Sequence, residues 1–197
     1  IKKMIRFINF FLINITIFYF NISQAVQSDW GGIDEAKVRI ISPASKAGNN
    51  SIIFLGLEYQ LQNGWKTYWK APGDGGFPQT IDWSRSTNIS SLEILWPTPK
   101  EFEILDIKSL GYENEVVFPL RIEIDEITQS STFLFDINFL TCKDICLPGQ
   151  ASLQLILPAG VGQTTNHSYD IEKYLSNVPT DNNIISEFEI TDVSFFK

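Results

Sequence analysis

Between Ala36 and Leu157 apolar and polar residues alternate with period two in a series of short runs, the pattern of half-buried β-strands. Val38 and Ile40 begin a strand that stops at Ser42-Pro43. After a polar loop through Gly48-Asn49-Asn50, Ile53, Leu55, Leu57, Tyr59 and Leu61 alternate with Phe54, Gly56, Glu58 and Gln60, the longest clean strand signal of the chain. Leu92, Ile94 and Trp96 form a short run ended by Pro97 and Pro99. Val116, Phe118, Leu120, Ile122 and Ile124 alternate with Val117, Pro119, Arg121 and Glu123. The proline in that row predicts an edge strand or a bulge. Phe133, Phe135, Ile137 and Phe139 make one further run, and Leu153, Leu155 and Leu157 another. A helical period first emerges over Tyr169–Leu175.

At least six strands separated by turns predict an all-β fold, an immunoglobulin-like antiparallel β-sandwich. Its expected extent is residues 26–160, enough for a single core. Residues 161–197 then form a linker, a short helix and the opening of a second domain, suggested by Phe188, Ile190 and the Phe195-Phe196-Lys197 end.

The first 25 residues read differently. Lys2, Lys3 and Arg6 precede a mostly apolar run, Phe7 to Phe20, and Ser23-Gln24-Ala25 supplies small residues for cleavage. This is the order of an export signal, with a mature start near Val26. The run is short and interrupted by Asn9, Asn14 and Thr16, so it predicts no stable membrane insertion once cleaved. With Ile as first residue, translation is expected to start at Met4 or at an unusual codon. Removing the three signal cations leaves 12 Lys and Arg against 23 Asp and Glu, a net charge of −11. So acidic a surface argues against nucleic acid as a partner.

Export also places the two cysteines, Cys142 and Cys146, where they can be oxidised. They sit in Thr141-Cys142-Lys143-Asp144-Ile145-Cys146-Leu147-Pro148, between the last two strand runs. A hairpin there brings them face to face across a tight turn, within reach of a disulfide. Closing so small a ring stabilises by only about 2 kcal/mol. A bridge of that kind at a loop tip is a candidate for reversible exchange. Lys143 would favour a thiolate at Cys142 and Asp144 would oppose it. Two other readings stand beside this one: a local clip in an exported domain, and a soft-metal pair able to take Cu(I). Two thiolates alone lack the remaining ligands of a zinc site.

The segment Gly64–Pro78 gathers four aromatics, two prolines and four glycines and reads as a loop. It would serve as an aromatic plug over the end of the sandwich or, in an exported binding module, as a platform for glycans or a protein. The Gly73-Asp74-Gly75-Gly76 run matches no phosphate-binding fingerprint and reads as turn chemistry. His167 is the sole histidine and follows a polar stretch, so it reads as a solvated surface residue.

Several of these pieces recur together. Gly64-Trp65-Lys66-Thr67-Tyr68-Trp69, Pro72-Gly73-Asp74, Trp83, Leu95-Trp96-Pro97, Gly111-Tyr112, Val116–Leu120 and Cys142–Pro148 occur in this order. The ordered set resembles the N-terminal periplasmic domain of the DsbD/ScsB thiol–disulfide interchange proteins, over roughly residues 30–180. Three residues between the cysteines match the ScsB-like branch. The resemblance implies an immunoglobulin-like domain whose redox pair is Cys142 and Cys146, with Cys146 attacking. No cofactor or metal is implied. Its partners would be a membrane-embedded or thioredoxin-like electron donor and oxidised periplasmic proteins. It also implies a cap over the disulfide at Glu103–Ser109, which includes Leu105, Asp106 and Lys108. Phe102, Tyr112, Lys143 and the aromatic Tyr68 are further candidates beside the site.

Overall fold

The computed structural model describes residues 26–104 and 107–179, with the backbone alone at Ile104. The expected export signal, two residues of the expected cap (Leu105 and Asp106) and the expected second-domain opening lie outside the described residues.

Eleven strands and one helix are present among the described residues. The strands are β1 (Gly31–Ile33), β2 (Ala36–Ile41), β3 (Ile52–Leu61), β4 (Lys66–Gly73), β5 (Thr80–Asp82) and β6 (Ser91–Ile94). They continue with β7 (Lys100–Ile104), β8 (Ile107–Glu113), β9 (Glu115–Glu123), β10 (Ser131–Cys142) and β11 (Cys146–Leu157). The helix, α1, spans Ser168–Leu175. One sheet runs β1-β2-β3-β9-β6 and the other β11-β10-β4-β8-β7, with β5 added to β10. All pairings between the strands are antiparallel. This is the immunoglobulin-like sandwich that the alternating pattern predicts.

The alternation does the folding work. Leu55, Leu57 and Tyr59 of β3, Phe118 and Leu120 of β9, and Phe133, Phe135 and Phe139 of β10 all point inward and are fully or almost fully buried. Phe118 is the hub, with Tyr59, Trp96 and Tyr112 edge-on to it at centroid distances of 5.6, 5.3 and 5.0 Å. Edge-to-face pairs add to the area term because the positive rim of one ring meets the negative face of the other.

Three expectations need correction. Pro119 is in neither an edge strand nor a bulge: β9 lies between β3 and β6, and Pro119 pairs with Gly56. Its carbonyl accepts from the Leu95 amide, one residue past the end of β6. A strand residue's N–H and C=O point to the same side, so the missing proton faces the end of β6 and costs β3 nothing. The segment Gly64–Pro78 is largely not a loop, because β4 occupies Lys66–Gly73. Its Lys-Thr-Tyr-Trp start alternates between the two faces of the sheet, a signal masked by the surrounding glycines and prolines. His167 is buried, only 5% exposed, and its Nε2 lies 2.8 Å from Gln27 Oε1. Beyond the sandwich, α1 docks on the first sheet through Ile171, which packs with Ile41 and Val117.

Candidate functional site

The β10–β11 hairpin runs for twelve residue pairs in unbroken register, and its last pair is Cys142 with Cys146. Their Cα atoms are 4.1 Å apart and the sulfurs are bonded. The polar Lys143-Asp144-Ile145 turn closes the hairpin beyond them. Because Phe133, Phe135, Ile137 and Phe139 face the core, even-numbered Leu140 and Cys142 face outward. The disulfide therefore lies on the outer face of the second sheet, at its end.

That outer face is roofed locally. Cys142 pairs directly with Lys66 of β4, so Cys142, Lys66 and Tyr68 share one side of the sheet. Tyr68 reaches Cys142, its Oη donating to Sγ at 3.0 Å, and it stands 4.0 Å from Cys146 Sγ. Tyr68, Cys142, Phe102 and Leu140 form a small apolar cluster separate from the main core. Phe102 lies 5.9 Å from Tyr68 between ring centroids. Over the Tyr68 ring passes the glycine turn, where a Cβ on Gly76 would lie 2.3 Å from Tyr68 Cε1 and φ is +87°. Only glycine fits there. What the sequence offered as plain turn chemistry is the lid of a buried tyrosine.

The two sulfurs are consequently unequal. Cys142 is fully buried, whereas Cys146 is exposed. Burial also raises the Tyr68 phenol above its ordinary pKa, so it stays protonated and remains a donor through neutral pH.

The expected cap is a β-hairpin rather than a loop: β7 and β8 pair along their length, Phe102 with Ser109 and Glu103 with Lys108. Glu103 and Lys108 are exposed, and Lys108 Nζ contacts Glu101 Oε1 at 3.2 Å. Phe102 is the half-buried member that touches Tyr68. Tyr112 belongs elsewhere; it packs on Phe118 in the main core and donates to the Pro97 carbonyl at 2.6 Å. Lys143 extends across the turn toward the Asn63 carbonyl, with Nζ 3.5 Å from the oxygen. Lys66, which sequence reasoning did not single out, is the residue opposite Cys142. Its signal was available, two positions before Tyr68 in a strand, but required seeing β4 as a strand.

Of the four aromatics in Gly64–Pro78, Phe77 is exposed. Trp65 and Trp69 are half-buried against the core, and Tyr68 is committed to the disulfide. Among the described residues no group of three or more His, Cys, Asp or Glu side chains is placed to hold a metal ion.

Residues 37–158, well over half of the 197, match the family described as "Thiol:disulfide interchange protein DsbD, N-terminal". The chain belongs to this DsbD N-terminal domain family. The N-terminal periplasmic domain of ScsB from Proteus mirabilis is similar, at 29% sequence identity and a TM-score of 0.65. The match covers 79% of this chain and 60% of that one, so the chain spans less than two thirds of the ScsB structure. The reduced DsbD N-terminal domain of Neisseria meningitidis also matches, at 9% identity and a TM-score of 0.35, over 66% of this chain and 90% of that one. No curated protein matches the sequence. Within this DsbD-type domain the bonded Cys142–Cys146 pair is the feature that fits thiol–disulfide interchange.

Proposed function

We propose that this DsbD-type domain acts in the periplasm as a relay, taking reducing equivalents from a thioredoxin-like or membrane-embedded donor and passing them to oxidised periplasmic proteins. The observation that carries this reading is the asymmetry of the disulfide: one sulfur exposed, the other buried beneath a hydrogen-bond donor. Exchange needs in-line access to one sulfur and a stabilised leaving thiolate at the other. A donor thiolate attacks Cys146 Sγ, the Cys142–Cys146 bond breaks, and Cys142 leaves as the thiolate that Tyr68 hydrogen-bonds. A second donor thiol then releases Cys146, leaving both cysteines reduced and the donor oxidised. In the forward transfer the Cys146 thiolate attacks a substrate disulfide and Cys142 resolves the mixed disulfide. The export signal read in residues 1–25 and the periplasmic ScsB relative support the compartment. The Phe102 ring, midway along the β7–β8 hairpin, serves as the cap that slows adventitious thiols.

Trapping tests the assignment. Reduced Cys142→Ser protein, which keeps Cys146, should form a stable mixed disulfide with an oxidised protein substrate, detected by mass. Cys146→Ser protein should form little or none. Equal trapping by both, or by neither, would contradict the proposed roles.

A further inference from the structure

We propose that Lys66 is the cation that stabilises the thiolate formed at Cys142 when the disulfide opens, its ammonium resting meanwhile on the Gly64 carbonyl and the Phe102 ring. The inference rests on the exchange reaction proposed above.

A thiolate at Cys142 is an electrostatic problem, because the residue is fully buried and burial alone disfavours the charged form. Tyr68 answers with one hydrogen bond and no charge. Lys66 is positioned to supply the charge. It is the direct cross-strand partner of Cys142, and directly opposed residues of antiparallel strands hold their Cβ atoms about 4.5–5.5 Å apart on the same face.

Its ammonium is also uncommitted. Nζ lies 3.1 Å from the Gly64 carbonyl and 5.7 Å from the centre of the Phe102 ring, and forms no ion pair among the described residues. Glu113, its cross-strand neighbour on the other side, has Lys100 at 3.8 Å. Phe102 can lie where the ammonium meets it because position 111 is glycine; a Cβ there would come within 2.9 Å of Phe102 Cε1. Carbonyl and aromatic face hold a cation more weakly than a thiolate in the same low-polarity corner.

The other charges near the pair are less well placed. Lys143 lies in the turn beyond Cys142, outside the strand pairing, and its Nζ turns to the Asn63 carbonyl at 3.5 Å. Asp144 is exposed at the turn tip. In the step itself, the donor thiolate bonds to Cys146 Sγ, the electron pair of the broken bond stays on Cys142 Sγ, and the ammonium moves toward that sulfur with no proton transferred.

The test is a thiolate titration by ultraviolet absorbance on Cys146→Ser protein, where Cys142 is the single thiol. Replacing Lys66→Met should raise the Cys142 pKa and lower the thiolate fraction at a given pH about tenfold, whereas Lys66→Arg should restore it. Lys143→Met should move it much less. With Lys66 intact, raising salt to about 1 M should also raise the pKa, a measurement that stands if the methionine variant does not fold. An unchanged pKa in Lys66→Met, one that follows Lys143 instead, or one insensitive to salt overturns the assignment. The titration reads only sulfur and cation. Failure of the wild-type protein to exchange with protein disulfides would refute the proposed relay while the Lys66 effect was still measured.

Discussion

Tyr68 Oη donates to Cys142 Sγ at 3.0 Å, across 74 residues of sequence. The contact joins the one buried hydroxyl of β4's outer face to the buried half of an otherwise exposed disulfide. In the proposed exchange it makes the tyrosine part of the leaving-group chemistry. Tyr68→Phe keeps the ring packed on Phe102 and Gly76 and removes only the donor. Reduction of the disulfide by dithiothreitol should slow by about tenfold, the worth of a hydrogen bond to a developing charge. The melting temperature should change little, and an unaltered reduction rate would remove Tyr68 from the chemistry.

Phe102 covers Tyr68 from the β7–β8 hairpin without entering the main core. Phe102→Ala should therefore accelerate reduction by a small thiol while leaving the equilibrium potential unchanged, at a stability cost of about 1 kcal/mol. Stopped-flow reduction paired with a glutathione equilibrium separates the two. A shifted potential at constant rate would mean that Phe102 tunes the bond instead of shielding it.

The bridge closes a hairpin that already has eleven other residue pairs. Its removal in Cys142→Ser/Cys146→Ser should cost about 2 kcal/mol at most. Chemical denaturation should remain a single cooperative transition. Loss of folding at room temperature would make the disulfide a staple and undercut the exchange reading.

His167 gives the protein a neutral-to-acid stability slope. Burial, and next to it the charge of Arg39, hold its pKa below the ordinary value of 6.5; Glu58 and Asp170 oppose this. A histidine depressed in the folded state takes up its proton first in the unfolded chain, so stability is full above about pH 6.5 and declines as pH falls toward the folded pKa. The network at stake is His167 with Gln27, Gln27 with Arg39, and Arg39 with Glu58. Thermal melts from about pH 7.5 to about pH 5 should show the decline, and His167→Gln should flatten it. Asp82, held down mainly by the Ser84 amide, and Asp136, by the Ser152 hydroxyl, act oppositely placed on the scale, losing their contribution only in stronger acid.

Much of this was legible in the sequence itself. The period-two runs gave the long strands β3, β9, β10 and β11, since each has one face in the core, and the cysteine hairpin followed from the two that flank it. Residues whose environment is set by distant segments were not legible. His167 looks solvated beside Gln163 and Thr164, yet the N-terminal Gln27 folds over it. Pro119 looks like an edge residue because the short β6 that ends beside it carries a weak signal. Within Gly64–Pro78 the glycines and prolines are real turn residues, but β4 runs through them and carries Lys66 and Tyr68 to Cys142. The cap at Glu103–Ser109 was expected from resemblance alone, and the hairpin that β7 and β8 form there could not have been read from seven residues of irregular pattern.

The reduction potential of the Cys142–Cys146 pair tests the central claim most directly. The purified domain would be equilibrated with glutathione buffers of graded composition, its thiols trapped, and the reduced fraction fitted. A relay requires a pair that both accepts and donates electrons, with a potential in the range of exchanging disulfides, roughly −120 to −270 mV. A value well below about −300 mV would mark the bridge as a structural clip and contradict the account.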